Sequence, residues 1–148
     1  MPEQRTYTEW KWSDFGAANK RCQDCHMPVL DVDFFAYPEK GGMRPRYPIH
    51  SHLMPGAKDE ELLQNSVTMT ATARLEGDLV RVSVGITNDK TGHHVPTGVP
   101  LRHMLLEVRA VGVEGKELSL LEGPVLPDWA GDYAGRAGCY YAKILEDK

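Results

Sequence analysis

Between Pro28 and Lys58 the chain carries Pro28, Pro38, Pro45, Pro48 and Pro55 together with Gly41, Gly42 and Gly56. Proline removes a backbone donor and fixes φ, so punctuation this dense leaves no room for a long helix or strand. The stretch reads as loop. A loop of that length within a compact domain is ordinarily functional or wrapped around something. The chain as a whole is of ordinary globular composition: 148 residues, 41% hydrophobic, 26% charged, net charge −4 and pI near 5.8. These values fit one domain, or one with a small appendage, and argue against disorder. The charges are well mixed, with no basic face for nucleic acid. No apolar run reaches the length that spans a bilayer.

The residues just before this loop say what it wraps. Cys22-Gln23-Asp24-Cys25-His26 is a CxxCH pentapeptide, the attachment signature of a c-type haem. Each thiol adds across one vinyl group of the porphyrin, and the adjacent histidine lies under the macrocycle as an iron ligand. Cys22 and Cys25 are therefore the expected thioether sites and His26 the proximal ligand, with haem c and its iron as the cofactor. Zinc is the competing reading of a CxxC, but the only other cysteine is Cys139, and no second CxxC or HxxxH pair exists. A thioredoxin-like redox pair needs a preceding strand in a βαβ unit, and none is indicated. Haem is attached outside the cytoplasm, whereas Met1-Pro2-Glu3-Gln4-Arg5 leads into no apolar signal core. The expectation is a periplasmic or extracellular protein whose export signal has been removed.

Iron needs a second axial ligand, and its identity sets reactivity. Candidates are His50, His52, His93, His94, His103, Met27, Met43 and Met54. Met27 is too close to His26 to reach the opposite face. His103 opens an alternating strand, which favours a surface or packing role. Met43 and Met54 suit packing on the ring. His52 lies in the same Pro/Gly-rich half as His26, while His93 follows Gly92 and precedes Pro96-Thr97-Gly98, a bracing that can aim an imidazole. His52 is preferred narrowly over His93.

From Ser66 onward the pattern has period two. Val67, Met69, Ala71, Ala73 and Leu75 alternate with polar residues. After Glu76-Gly77-Asp78 the alternation resumes at Val80, Val82, Val84 and Ile86, as in a β-hairpin. A third strand is expected at Arg102–Val113 and a fourth at Glu117–Leu121. Four antiparallel strands predict a small immunoglobulin-like β-sandwich. With a short helix at Tyr7–Lys20 and another at Arg136–Leu145, the expected class is α+β. The expected divisions are a haem-binding segment at 1–65, the sandwich at 66–126, and a C-terminal loop and helix at 127–148. Cys139, beside Tyr140 and Tyr141, is expected to pack in that C-terminal helix.

Four pieces occur in order: Glu9-Trp10-Lys11-Trp12-Ser13, Cys22 through Pro28, His52-Leu53-Met54-Pro55-Gly56, and Asn88 through Gly98. In this the chain resembles the C-terminal part of multihaem cytochromes c of the cytochrome c554-like group, over roughly residues 7 to 145. The resemblance implies electron transfer through closely spaced, bis-histidine haems. It carries Cys22, Cys25 and His26 over as the haem site and His52 and His93 as distal ligands. His94 falls on a variable position and ranks below His93. Such relatives have several CxxCH sites, whereas this chain has one, so one of His52 and His93 can serve a haem held elsewhere. The implied partners are redox proteins or neighbouring haem modules, with oligomer or filament assembly open. The leading function is an electron-transfer module that is not itself an enzyme. The alternatives are a fragment of a multihaem redox enzyme acting on small nitrogen or sulfur compounds, and a non-redox β-sandwich interaction domain with a metal-binding CxxCH.

Overall fold

A computed structural model of the chain describes residues 4–32, 39 and 48–143. Met43 and much of the Pro/Gly-rich stretch lie outside the described residues. The backbone divides into two compact units, Tyr7–His93 and a second made of Met1–Thr6 with His94–Lys148.

The Tyr7–His93 unit opens with short helical pieces. Helix α1 spans Thr6–Lys11 and α2 spans Asp14–Ala17. Ser13 separates them, because its hydroxyl donates to the Trp10 carbonyl (2.8 Å) and accepts from the Gly16 amide (3.2 Å). An N-cap of this kind starts a new helix instead of extending the old one. The expected single helix at 7–20 is thus two. Helix α3, Cys22–His26, follows. Strands β1 (Val29–Leu30) and β2 (Ile49–His50) pair antiparallel across the Pro/Gly stretch, with Val29 opposite His50. Asp59 caps α4 (Glu60–Gln64) by accepting from the Leu62 amide at 2.8 Å.

Strands β3 (Thr68–Glu76) and β4 (Leu79–Thr87) then form the predicted hairpin. Its two-residue loop places Gly77 at φ +63°, the positive value a tight hairpin turn demands at its first central position. The register sets Met69 opposite Ile86, Ala71 opposite Val84, Ala73 opposite Val82 and Leu75 opposite Val80, so one face is wholly apolar.

In the other unit β5 (His103–Glu107) pairs antiparallel with β6 (Gly138–Ala142). A 3₁₀ segment at Asp128–Tyr133 precedes β6, and Leu126 and Ala130 are buried beside it in sequence.

This overturns the predicted α+β fold with a β-sandwich and a C-terminal helix. The described strands form three separate two-stranded sheets, and β5 pairs with β6 instead of with the hairpin. The expected third strand ends at Glu107, and the fourth is reduced to a bridge between Val111 and Glu117, because Gly112 and Lys116 close a turn between them. Residues 138–142 are strand where helix was expected. Tyr140 and Tyr141 favour a pleated surface, and a side chain at position 138 would run into the Leu106 carbonyl, so only glycine admits this pairing. Cys139 accordingly sits on β6, opposite Leu106.

Candidate haem-type metal centre

Helix α3 is little more than one turn, so Cys22, Cys25 and His26, at i, i+3 and i+4, share one side of it. Both thiols are free and exposed. The turn is fixed at its start by Asp24, whose carboxylate accepts from the Arg21 amide (2.8 Å) and from the Arg21 guanidinium (3.1 Å). The backbone hydrogen bond first, and the guanidinium second, hold the Asp24 carboxyl below the ordinary range.

His26 is half-buried. Its Nδ1 lies 2.6 Å from the Pro55 carbonyl. A carbonyl can only accept, so Nδ1 carries the proton and Nε2 keeps a lone pair available to a metal. Pro55 belongs to the loop that leaves β2. The start of that loop and the end of β2 are tied to the residues that follow α3, by the Ser51 amide on the Pro28 carbonyl (2.8 Å) and by His50, whose Nδ1–H donates to the Met27 carbonyl at 2.7 Å. Ser51 and Ile49 are buried there.

His93 reaches the same region from the loop after β4. Its carbonyl accepts from Asn88 Nδ2 (2.7 Å) and lies 2.7 Å from the Thr91 hydroxyl, which also approaches Asn88 Oδ1 at 2.6 Å. The residue before it, Gly92, is buried against the α1–α2 pair. A Cβ there would meet Phe15 Cβ at 2.8 Å and Trp10 Cδ1 at 3.1 Å. Trp10 is itself held by its indole N–H on the Lys20 carbonyl (2.7 Å).

The result is a pair of imidazoles. The His26 and His93 rings have centroids 6.2 Å apart and planes 15° from parallel. A first-row metal sits about 2 Å from an imidazole nitrogen. The nitrogen is about 1.15 Å from the ring centre for ring bonds near 1.33 Å. Two imidazoles on opposite sides of one metal therefore have centroids about 6.3 Å apart. The observed centroid spacing is close to that value, and the two ring planes are nearly parallel. Among the described residues no three or more His, Cys, Asp or Glu side chains gather into a group that could hold a metal ion.

His52 is an exposed residue on the loop between β2 and Met54. His94 and His103 belong to the second unit, where the His103 ring meets Trp129 edge-on at 5.2 Å. Sequence reasoning passed over the groups that aim the two rings: the Pro55 carbonyl, Asn88, Thr91, and the Trp10–Phe15 surface under Gly92. Asn88 and Gly92 stood inside the quoted motif, so their presence was visible and their task was not. No helix among the described residues is long and apolar enough to cross a membrane. No family model, curated protein or solved structure matches the chain.

Proposed function

We propose that this chain is a c-type cytochrome module for electron transfer, carrying one haem c bonded to Cys22 and Cys25. His26 and His93 would hold its iron. The observation that carries this is the His26–His93 pair, parallel and 6.2 Å apart, with the His26 proton committed to the Pro55 carbonyl. Here His93 replaces His52 as the preferred partner of His26. The apolar residues flanking the site agree. Val29, Leu30 and Leu53 are exposed, and among the described residues of this unit Ile49 is the one large apolar side chain that is buried. A large apolar ring over this segment would cover what the polypeptide leaves open.

When bound, haem iron supplies a one-electron couple between its ferric and ferrous states. The chain's own residues hold and tune that group. The two thiols fix it, the Pro55 carbonyl orients His26 and strengthens its donation, and Asn88 and Thr91 hold the His93 backbone. With both His26 and His93 holding it, the group would pass electrons without binding substrate, which favours an electron carrier over an enzyme. Redox proteins or neighbouring haem modules are the partners this chemistry calls for, in a periplasmic or extracellular setting.

The experiment is absorption spectroscopy on protein made with haem-ligation machinery. A six-coordinate low-spin spectrum is expected. His93→Ala should convert it to high-spin and let carbon monoxide bind the reduced form, while His52→Ala should leave the spin state unchanged. The reverse outcome assigns the role to His52. A high-spin wild type would favour the redox-enzyme alternative, and no Soret band would remove the haem.

A further inference from the structure

Met54 has φ +49°, one of two non-glycine residues in the left-handed region among those described. It immediately precedes Pro55, and a residue before proline ordinarily takes an extended conformation. An unbranched residue in the left-handed region at such a position is unusual enough to ask what it accomplishes. The Met54 side chain is more than half exposed, at 58%, so burial of the thioether does not explain it. What the backbone reversal does deliver is the next carbonyl. Pro55 O lies 2.6 Å from His26 Nδ1, across 29 residues of sequence.

We infer that Met54 is a positioning residue: its left-handed backbone turns the Pro55 carbonyl onto His26, fixing the Nδ1–H tautomer and leaving Nε2 for the iron. Leu53, 89% exposed, and Gly56 on either side carry no such constraint, since neither has positive φ. The chain therefore sets the ring's tautomer through backbone geometry, the Pro55 carbonyl being the partner of Nδ1 among the described residues. A carbonyl acceptor on the second ring nitrogen raises the basicity of a ligating imidazole and stabilises the more highly charged metal state. Losing it should make the iron easier to reduce. The inference deepens the haem reading, and the assay below separates the two.

The test is a set of substitutions at Met54 in the full chain, read by the ¹⁵N shifts of the His26 ring and by the reduction potential of the haem-loaded protein. Met54→Gly and Met54→Asn suit the left-handed region. They should keep the Nδ1–H tautomer and a potential close to wild type. Met54→Ile places a β-branched residue there, and should lose the tautomer and move the reduction equilibrium about tenfold towards the ferrous form, about 59 mV for one electron. Leu53→Ile should change neither. If Met54→Ile fails to fold, Met54→Ala against Met54→Asn gives the same contrast at smaller size. Equal shifts in the glycine and isoleucine variants would assign the effect to the thioether and overturn the inference, as would an unchanged tautomer in Met54→Ile. The ring tautomer is readable with or without haem, so failure of haem uptake would overturn the proposed function and leave the Met54 contrast to be decided separately.

Discussion

Gly92→Ala is the substitution that most sharply tests how His93 is held. Gly92 does not occupy the left-handed region, so its backbone accepts a side chain and only space is at issue. The added methyl would sit 2.8 Å from Phe15 Cβ, 3.1 Å from Trp10 Cδ1 and 3.2 Å from Phe15 Cγ. Those neighbours are anchored: Trp10 by its bond to the Lys20 carbonyl, Phe15 by the capped turn of α2. Overpacking of this kind costs about 1–3 kcal/mol. Alanine also restricts the unfolded chain, which returns about 0.4–1 kcal/mol. The overpacking wins, for a net loss of about 1–2 kcal/mol. For a chain of this length that lowers Tm by roughly 3–8 °C. The same displacement moves His93, so the haem-loaded variant should show a growing high-spin fraction. The assay is thermal unfolding of Gly92→Ala in wild-type and Phe15→Gly backgrounds, alongside the absorption spectrum. Phe15→Gly removes both Phe15 atoms that the methyl would meet and leaves only Trp10 Cδ1 at 3.1 Å, so the Gly92 substitution should lose most of its cost there, a coupling of about 1 kcal/mol. Equal destabilisation in both backgrounds, or none in either, would refute the packing of the His93 loop on the α1–α2 pair.

Asn88→Ala removes a donor to the His93 carbonyl, and should cost about 0.5–1.5 kcal/mol and broaden the low-spin signal in electron paramagnetic resonance. Gly138→Ala drives a methyl into the Leu106 carbonyl and should break the β5–β6 pairing, seen as loss of hydrogen-exchange protection at Leu106 and Cys139. Met69→Ser on the apolar face of the hairpin, where Met69 is 61% exposed, should change stability by less than about 0.5 kcal/mol. A larger loss in chemical denaturation would show that the face is covered in solution.

The local elements were the legible part of this sequence. Strict alternation from Val67 to Ile86, interrupted by Glu76-Gly77-Asp78, specifies β3, β4 and their turn, because period-two patterning and a glycine at positive φ are both local. The CxxCH pentapeptide stood out as a motif, but the helical turn it forms was not predicted. What the pattern could not carry was partnership. Alternation says that a strand has an apolar face and is silent on which strand lies beside it. The sandwich inferred from four strands gave way to separate pairs, in which β5 takes a partner from the end of the chain. Arg136–Leu145 looked helical by composition, yet the close approach of Gly138 to the Leu106 carbonyl is a tertiary fact with no local signal. At the site, His26 and His93 were both on the short roster. Nearness to His26 in sequence favoured His52, but the ring that stands parallel to His26 is delivered by the α1–α2 surface under Gly92. The Pro55 carbonyl was out of reach of sequence reasoning altogether, since any residue offers one.

The central claim is a haem bonded to this polypeptide, and the mass of the denatured chain tests it most directly. Produced in a host with export and haem-ligation machinery, the full-length protein should gain about one haem mass, roughly 616 Da, that persists after denaturation and acid–acetone extraction. Cys22→Ala with Cys25→Ala should abolish the gain, while Cys139→Ala should leave it intact. A denatured mass equal to the bare polypeptide, from the same host, would contradict the account.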